Sequence, residues 1–241
     1  MEYNIVALDQ SLISTALVVA SPKRTRMINY CRESSAAGKK GMKKWFKMAE
    51  QHVEYRFIDY RPFETYSEGE LIKLKDYDAI TDLIISDILE TIDTSLPTRV
   101  GIEGYSYSSS AGDIIDLVTF STLLRKKLFD RVSEDITVLS PASLKLESCK
   151  LTYEPIVTET GKKVKKLKYE WRNNMGIAGG SFTKTDMLMA IVENKVHEHP
   201  WFEHCRQVKD DLLSVSTIPK PYEDINDAFL IYNVIKEERP V

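Results

Sequence analysis

Cysteine is scarce in this chain: Cys31, Cys149 and Cys205 are the only three in 241 residues. An odd, widely spaced set excludes a disulfide framework and points to a reducing compartment, so a cytoplasmic location is expected. Long apolar runs are missing as well. No stretch approaches the roughly 18–20 residues needed to cross a bilayer, so no membrane partner is expected. The opening MEYNIVALD has no basic segment leading into an apolar one and reads as a strand rather than a signal peptide. Excess positive charge is absent too, because 33 Lys and Arg face 36 Asp and Glu for a net charge of −3. That balance excludes a uniformly basic protein, though not a locally basic one. Internal repeats and low-complexity tracts are also lacking, which excludes a solenoid.

What is present is the composition of one ordinary globular α/β domain, expected to span residues 1–241, with 43% hydrophobic and 10% aromatic residues. The lysines cluster. Lys39, Lys40, Lys43, Lys44 and Lys47 form one group, in a stretch (34–51) expected to be a helix or a mobile arm. Lys162, Lys163, Lys165, Lys166 and Lys168 form another. A charge run is usually solvated surface, but two such clusters on a weakly acidic chain suit a local phosphate-binding face.

Apolar, β-compatible runs predict strands at 3–9, 15–20, 53–60, 99–104 and 135–141. Helical spacing predicts helices over 77–92, 112–129, from Thr183 onward, and in PKPYEDINDAFLIYNVIKEE near the end. Thr183 with Asp186 makes a capping-box-like start. Residues 150–182, with the second lysine cluster, Trp171 and MGIAGGS, break the pattern and read as an inserted basic hairpin or loop. Alternation of strands and helices predicts a mixed, five-stranded sheet flanked by helices.

Four acids stand out within this frame. Asp9 and Glu103 each end an apolar strand, and adjacent parallel strands would bring both to one carboxyl edge, where open α/β sheets place their chemistry. Asp224 and Asp227 lie three apart near a helix start and so share a helix face. A cluster of unpaired acids is costly unless a cation neutralises it, and hard oxygen donors favour Mg²⁺ or Mn²⁺. Spacing alone does not single them out, since Asp113 and Asp116, or Asp210 and Asp211, offer the same pattern.

Taken in order, ALDQSLISTALVV, VGIEGYSYSSSAG and EDINDAFLIY resemble the three motifs of the RuvC-type Holliday-junction resolvases, a branch of the RNase H-like superfamily. The first turn reads Asp-Gln-Ser where Asp-Pro or Asp-Gly is commoner, and the 150–182 insertion is long, as in divergent phage or mobile-element members. The resemblance implies an RNase H-like fold and a homodimer. It further implies a structure-selective DNA endonuclease of recombination and repair that resolves four-way junctions with two Mg²⁺ ions per active site. Asp9, Glu103, Asp224 and Asp227 would be the metal ligands. Lys145 and Lys184 would fall near the scissile phosphate, and Tyr105 or Tyr107 would be an aromatic wedge in the junction. The Lys162–Lys168 segment would be a further DNA arm, and a virus-encoded origin, with action inside a host cell, would fit.

Three other readings stay open or fall at this stage. The same chemistry on flaps or forks, and an inactive junction-binding protein, remain. An ATPase of the actin and hexokinase class would need a glycine-rich phosphate loop after the first strand, and DQSLIST has no glycine. HEHPWFEHC holds His197, His199, His204 and Cys205, but the spacing matches no common zinc pattern.

Overall fold

The computed structural model describes residues 2–32, 41–59, 61–105, 111–152, 183–193 and 199–237. The chain divides into two compact units, Met1–Pro141 with Lys220–Val241, and Ala142–Pro219.

The first unit is built on a six-stranded sheet. Three strands form an antiparallel meander: β1 (Asn4–Asp9), β2 (Ser14–Ala20) and β3 (Thr25–Cys31). β4 (Glu54–Phe57) then joins the β3 edge in parallel. On the other side of β1, β5 (Thr98–Glu103) and β6 (Ile136–Leu139) add in parallel. The order β4-β3-β2-β1-β5-β6 contains an RNase H-like sheet, with β4 as an added edge strand. The expected five strands are therefore six, and Thr25–Cys31 is the one that the apolar pattern had not revealed.

Helices cover both faces. α2 (Tyr66–Leu89) packs on α3 (Ala111–Arg131), and together they bury Val6, Leu8, Leu17, Val19, Val100 and Ile102. α2 begins eleven residues earlier than its apolar spacing suggested, where the Thr65 side chain caps the Glu68 amide. The opposite face carries α8 (Tyr222–Glu237), lying across β1, β2 and β5. Because strand side chains alternate, residues 5, 7 and 9 of β1, and 101 and 103 of β5, face α8. α1 (Lys43–Ala49) sets Trp45 edge-on against Tyr222, with ring centroids 6.1 Å apart.

Gly101 is what lets α8 approach. A Cβ there would lie 2.5 Å from Ile235 Cγ1 and 2.6 Å from Ile231 Cγ2. Gly101→Ala is expected to cost roughly 1–3 kcal/mol by overpacking, read as a lower denaturant midpoint. An unchanged midpoint would mean that the helix shifts without penalty.

A buried ionic knot ties α2 to the β3–β4 edge. Asp87, with its side chain 5% exposed, accepts from Tyr30 Oη at 2.8 Å, Arg56 Nη2 at 2.9 Å and Arg26 Nη2 at 3.1 Å. Glu54 accepts from Arg26 Nε and Nη2, each at 2.7 Å, and Arg26 Nη1 donates to Thr91 Oγ1 at 3.0 Å.

The second unit is helical among its described residues. α4 (Pro141–Thr152) enters it, and α5 (Lys184–Glu193), α6 (Pro200–Gln207) and α7 (Lys209–Leu213) follow. The expected capping box is present, with the Asp186 amide donating to Thr183 Oγ1 at 3.2 Å and the Thr183 amide to Asp186 at 2.7 Å. α6 was not foreseen. His199 caps it through Nδ1 and Pro200 occupies its first turn. No described helix is long and apolar enough to cross a membrane.

Candidate active site

β1 and β5 run parallel with Leu8 beside Ile102, so Asp9 and Glu103 emerge next to each other at one carboxyl edge of the sheet. Their carboxyls share a hydrogen bond. Asp9 is 7% exposed. Burial raises its proton affinity well above the usual carboxylate range, and Glu103, through charge and hydrogen bond, and then Asp224 add to that rise. The first turn of α8 brings Asp224 to the same face. Its Oδ2 accepts from Ser14 Oγ at 2.5 Å and from Asn29 Nδ2 at 3.4 Å, both on the α8 side of the meander. Asp227, one turn further along α8, is buried.

Lys220 is the side chain that sequence reasoning passed over. Its ammonium donates to Asp224 Oδ1 and lies 3.7 Å from Glu223 Oε2. Burial opposes its charge, but Asp224, Glu223 and then Asp9 together raise its proton affinity above that of an ordinary lysine. Lys220 in turn lowers that of Asp9. The only sequence signal was its place four residues before Asp224.

The donor set consists of hard oxygens that suit Mg²⁺ or Mn²⁺. A cation between Asp9 and Glu103 would relieve the crowding recorded in Asp9, so these two residues fit such an ion. Among the described residues no group of three His, Cys, Asp or Glu side chains stands as a finished metal cage, and Asp224 is engaged by Ser14, Asn29 and Lys220.

The remaining candidates distribute unevenly. Gln10, the residue after Asp9, donates from Nε2 to the Glu103 carbonyl at 2.8 Å, which pins the two strand ends together. Tyr105 lies under the Arg125 guanidinium of α3, 4.7 Å from ring centroid to Cζ. Lys145 is half-buried on α4, and Lys184 is exposed at the start of α5, both in the second unit. Tyr107, Lys162, Lys163, Lys165, Lys166, Lys168, Trp171 and His197 lie outside the described residues, as do Lys39 and Lys40. Lys43, Lys44 and Lys47 are exposed on α1. The alternative acids have other work: Asp116 pairs with Lys73 at 3.0 Å, while Asp210 and Asp211 lie in the first turn of α7. Cys205 is fully buried, and burial pushes its thiol far up.

No protein-family model and no curated protein sequence matches the chain. Among solved structures, its backbone is similar to that of T. thermophilus RuvC in complex with Holliday junction substrate. That overlap has TM-score 0.45 and 9% identity, covering 95% of this chain and 89% of that one. It is also similar to the yeast mitochondrial Holliday junction resolvase Ydc2, with TM-score 0.43 and 9% identity, covering 94% and 75%. Both likenesses are of backbone path, and the RNase H-like fold itself is given by the strand order and the parallel β1–β5 pairing.

Proposed function

We propose that the protein is a divalent-metal-dependent endonuclease that cleaves branched DNA, with four-way junctions as its substrate. The observation that carries this reading is the convergence of Asp9, Glu103 and Asp224, from three distant parts of the chain, at the carboxyl edge of one sheet. The α1 lysines support it, because the Trp45–Tyr222 contact holds that helix beside the start of α8. Exposed Lys43, Lys44 and Lys47 supply phosphate-binding charge there.

In this reading two Mg²⁺ or Mn²⁺ ions would supply Lewis acidity and acidify a water molecule. Asp9, Glu103, Asp224 and Asp227 would be the residues that hold them. Water adds to the scissile phosphorus, the bond to the sugar oxygen breaks, and that oxygen takes up a proton. Either Tyr105, braced by Arg125, or Tyr107 stacks on an unpaired base at the branch. Paired nicks across a junction call for two copies related by two-fold symmetry.

The test is to incubate the protein with labelled four-way junctions, flaps, forks and linear duplexes in Mg²⁺. Symmetric nicks at junctions are expected, with linear duplex left intact. Preferred cutting of flaps or forks would reassign the substrate. Tight junction binding without any cleavage would replace the enzyme by a junction-binding protein.

A further inference from the structure

Lys220 occupies an unusual position for a surface-derived lysine. Its side chain is 34% exposed, yet its ammonium is turned onto Asp224, which is 1% exposed. Asp224 is held from its other oxygen by Ser14 and Asn29, so the lysine meets a carboxylate already fixed in place. A second acceptor, Glu223 Oε2, stands 3.7 Å away and is more exposed, at 21%. The ammonium therefore has one buried and one more open carboxylate within reach, on adjacent residues of the first turn of α8.

We propose that Lys220 is the resident cation of the carboxylate site, holding Asp224 until a divalent ion takes it and so setting the ion concentration at which the site fills. The inference rests on the metal-dependent reading above and adds to it a built-in competitor. Charge balance gives the reason. Three acids meet at one sheet edge, and without a cation their mutual repulsion would drive α8 off the sheet or force protons onto them. A lysine from the approach to α8 supplies positive charge at no cost in metal. When a divalent ion binds Asp224, the ammonium swings to Glu223, a short move between neighbouring acceptors. The cost of this exchange is subtracted from metal affinity. The alternative role, direct contact with a DNA phosphate, would leave metal affinity in the absence of DNA untouched.

The full chain, without DNA, should be titrated with MnCl₂ by calorimetry, with free Mn²⁺ followed by electron paramagnetic resonance. Lys220→Met is expected to bind Mn²⁺ about tenfold more tightly than the wild type, as a lost charged hydrogen bond to Asp224 implies. Lys220→Arg, which keeps the charge, should stay close to the wild type. Thermal melts in EDTA and in excess Mn²⁺ give the second readout. Lys220→Met should melt lower than the wild type in EDTA and gain more from Mn²⁺. Even a variant that unfolds without metal would then report through its Mn²⁺-dependent melt. Unchanged or weaker Mn²⁺ binding by Lys220→Met overturns the proposal and leaves the lysine a scaffold or phosphate contact. If the wild type, Lys220→Met and Asp9→Asn all fail to bind Mn²⁺, the metal-dependent reading itself falls.

Discussion

Asp9→Asn is expected to lower junction cleavage by about a thousandfold or more while making the metal-free protein more stable, not less. The two effects have one origin. Asp9 is buried beside Glu103 and Asp224, where a second and third negative charge are unwelcome. An asparagine there is nearly isosteric, carries no charge, and can donate to the neighbouring Glu103 carboxylate. Relief of that crowding should raise stability by roughly 1–3 kcal/mol in EDTA. The same change removes an oxygen that the proposed reaction needs. The paired measurement is cleavage of a labelled junction in Mg²⁺ and a denaturant midpoint in EDTA. Lost cleavage with a lowered midpoint would point to a damaged fold instead, and retained cleavage would remove Asp9 from the chemistry.

Asp87→Ala should have the largest effect on stability, a loss of roughly 3–5 kcal/mol, because it leaves Arg26 and Arg56 facing a buried space without their shared carboxylate. Tyr30 loses its acceptor at the same time. The pH dependence follows from the direction of the Asp87 shift. Burial alone would raise its proton affinity, but hydrogen bonds from Arg56 and Tyr30, then the guanidinium charges, hold its carboxyl below the ordinary value. A lowered value in the folded state means that the contribution is complete above the unfolded value of about 4. It is lost as pH falls through the still lower folded value. The gap between wild type and variant should therefore be full at neutral pH and narrow on acidification below about pH 4. Denaturant unfolding at both ends of that range decides it. A gap that stays constant on acidification would show that packing, rather than charge, dominates at this position.

Much of the sheet and most of the acid cluster were legible in the residues, for definite reasons. β1 and β5 are apolar runs ending on an acid, and such runs signal a buried strand with an acid at its carboxyl tip. β3 was hidden because TRMINYC carries polar residues inside the sheet. The structure accounts for two of them: Arg26 feeds Asp87, and Asn29 faces Asp224. Polarity there is the price of wiring the sheet to its neighbours. The first half of α2 was hidden for the opposite reason, since Tyr66, Leu71 and Leu74 are exposed and give no inward stripe. α6 announced itself through His199 and Pro200, a cap and a first-turn proline that apolar periodicity does not register. Lys220 escaped notice because a lysine ahead of Pro221 reads as a turn residue, and only the docking of α8 reveals its partner.

The Ser14–Asp224 hydrogen bond joins residues 210 positions apart. Asp9 and Glu103 can come together as soon as β1 and β5 pair, but Asp224 reaches them only with α8, far later in the chain. Until then the sheet face that α8 covers is bare and the acid set is incomplete. A nascent chain thus has the scaffold of the site well before it has the site. Its assembly waits on the synthesis of α8, and truncation before that helix removes Asp224 and Asp227 together while leaving Asp9 beside Glu103.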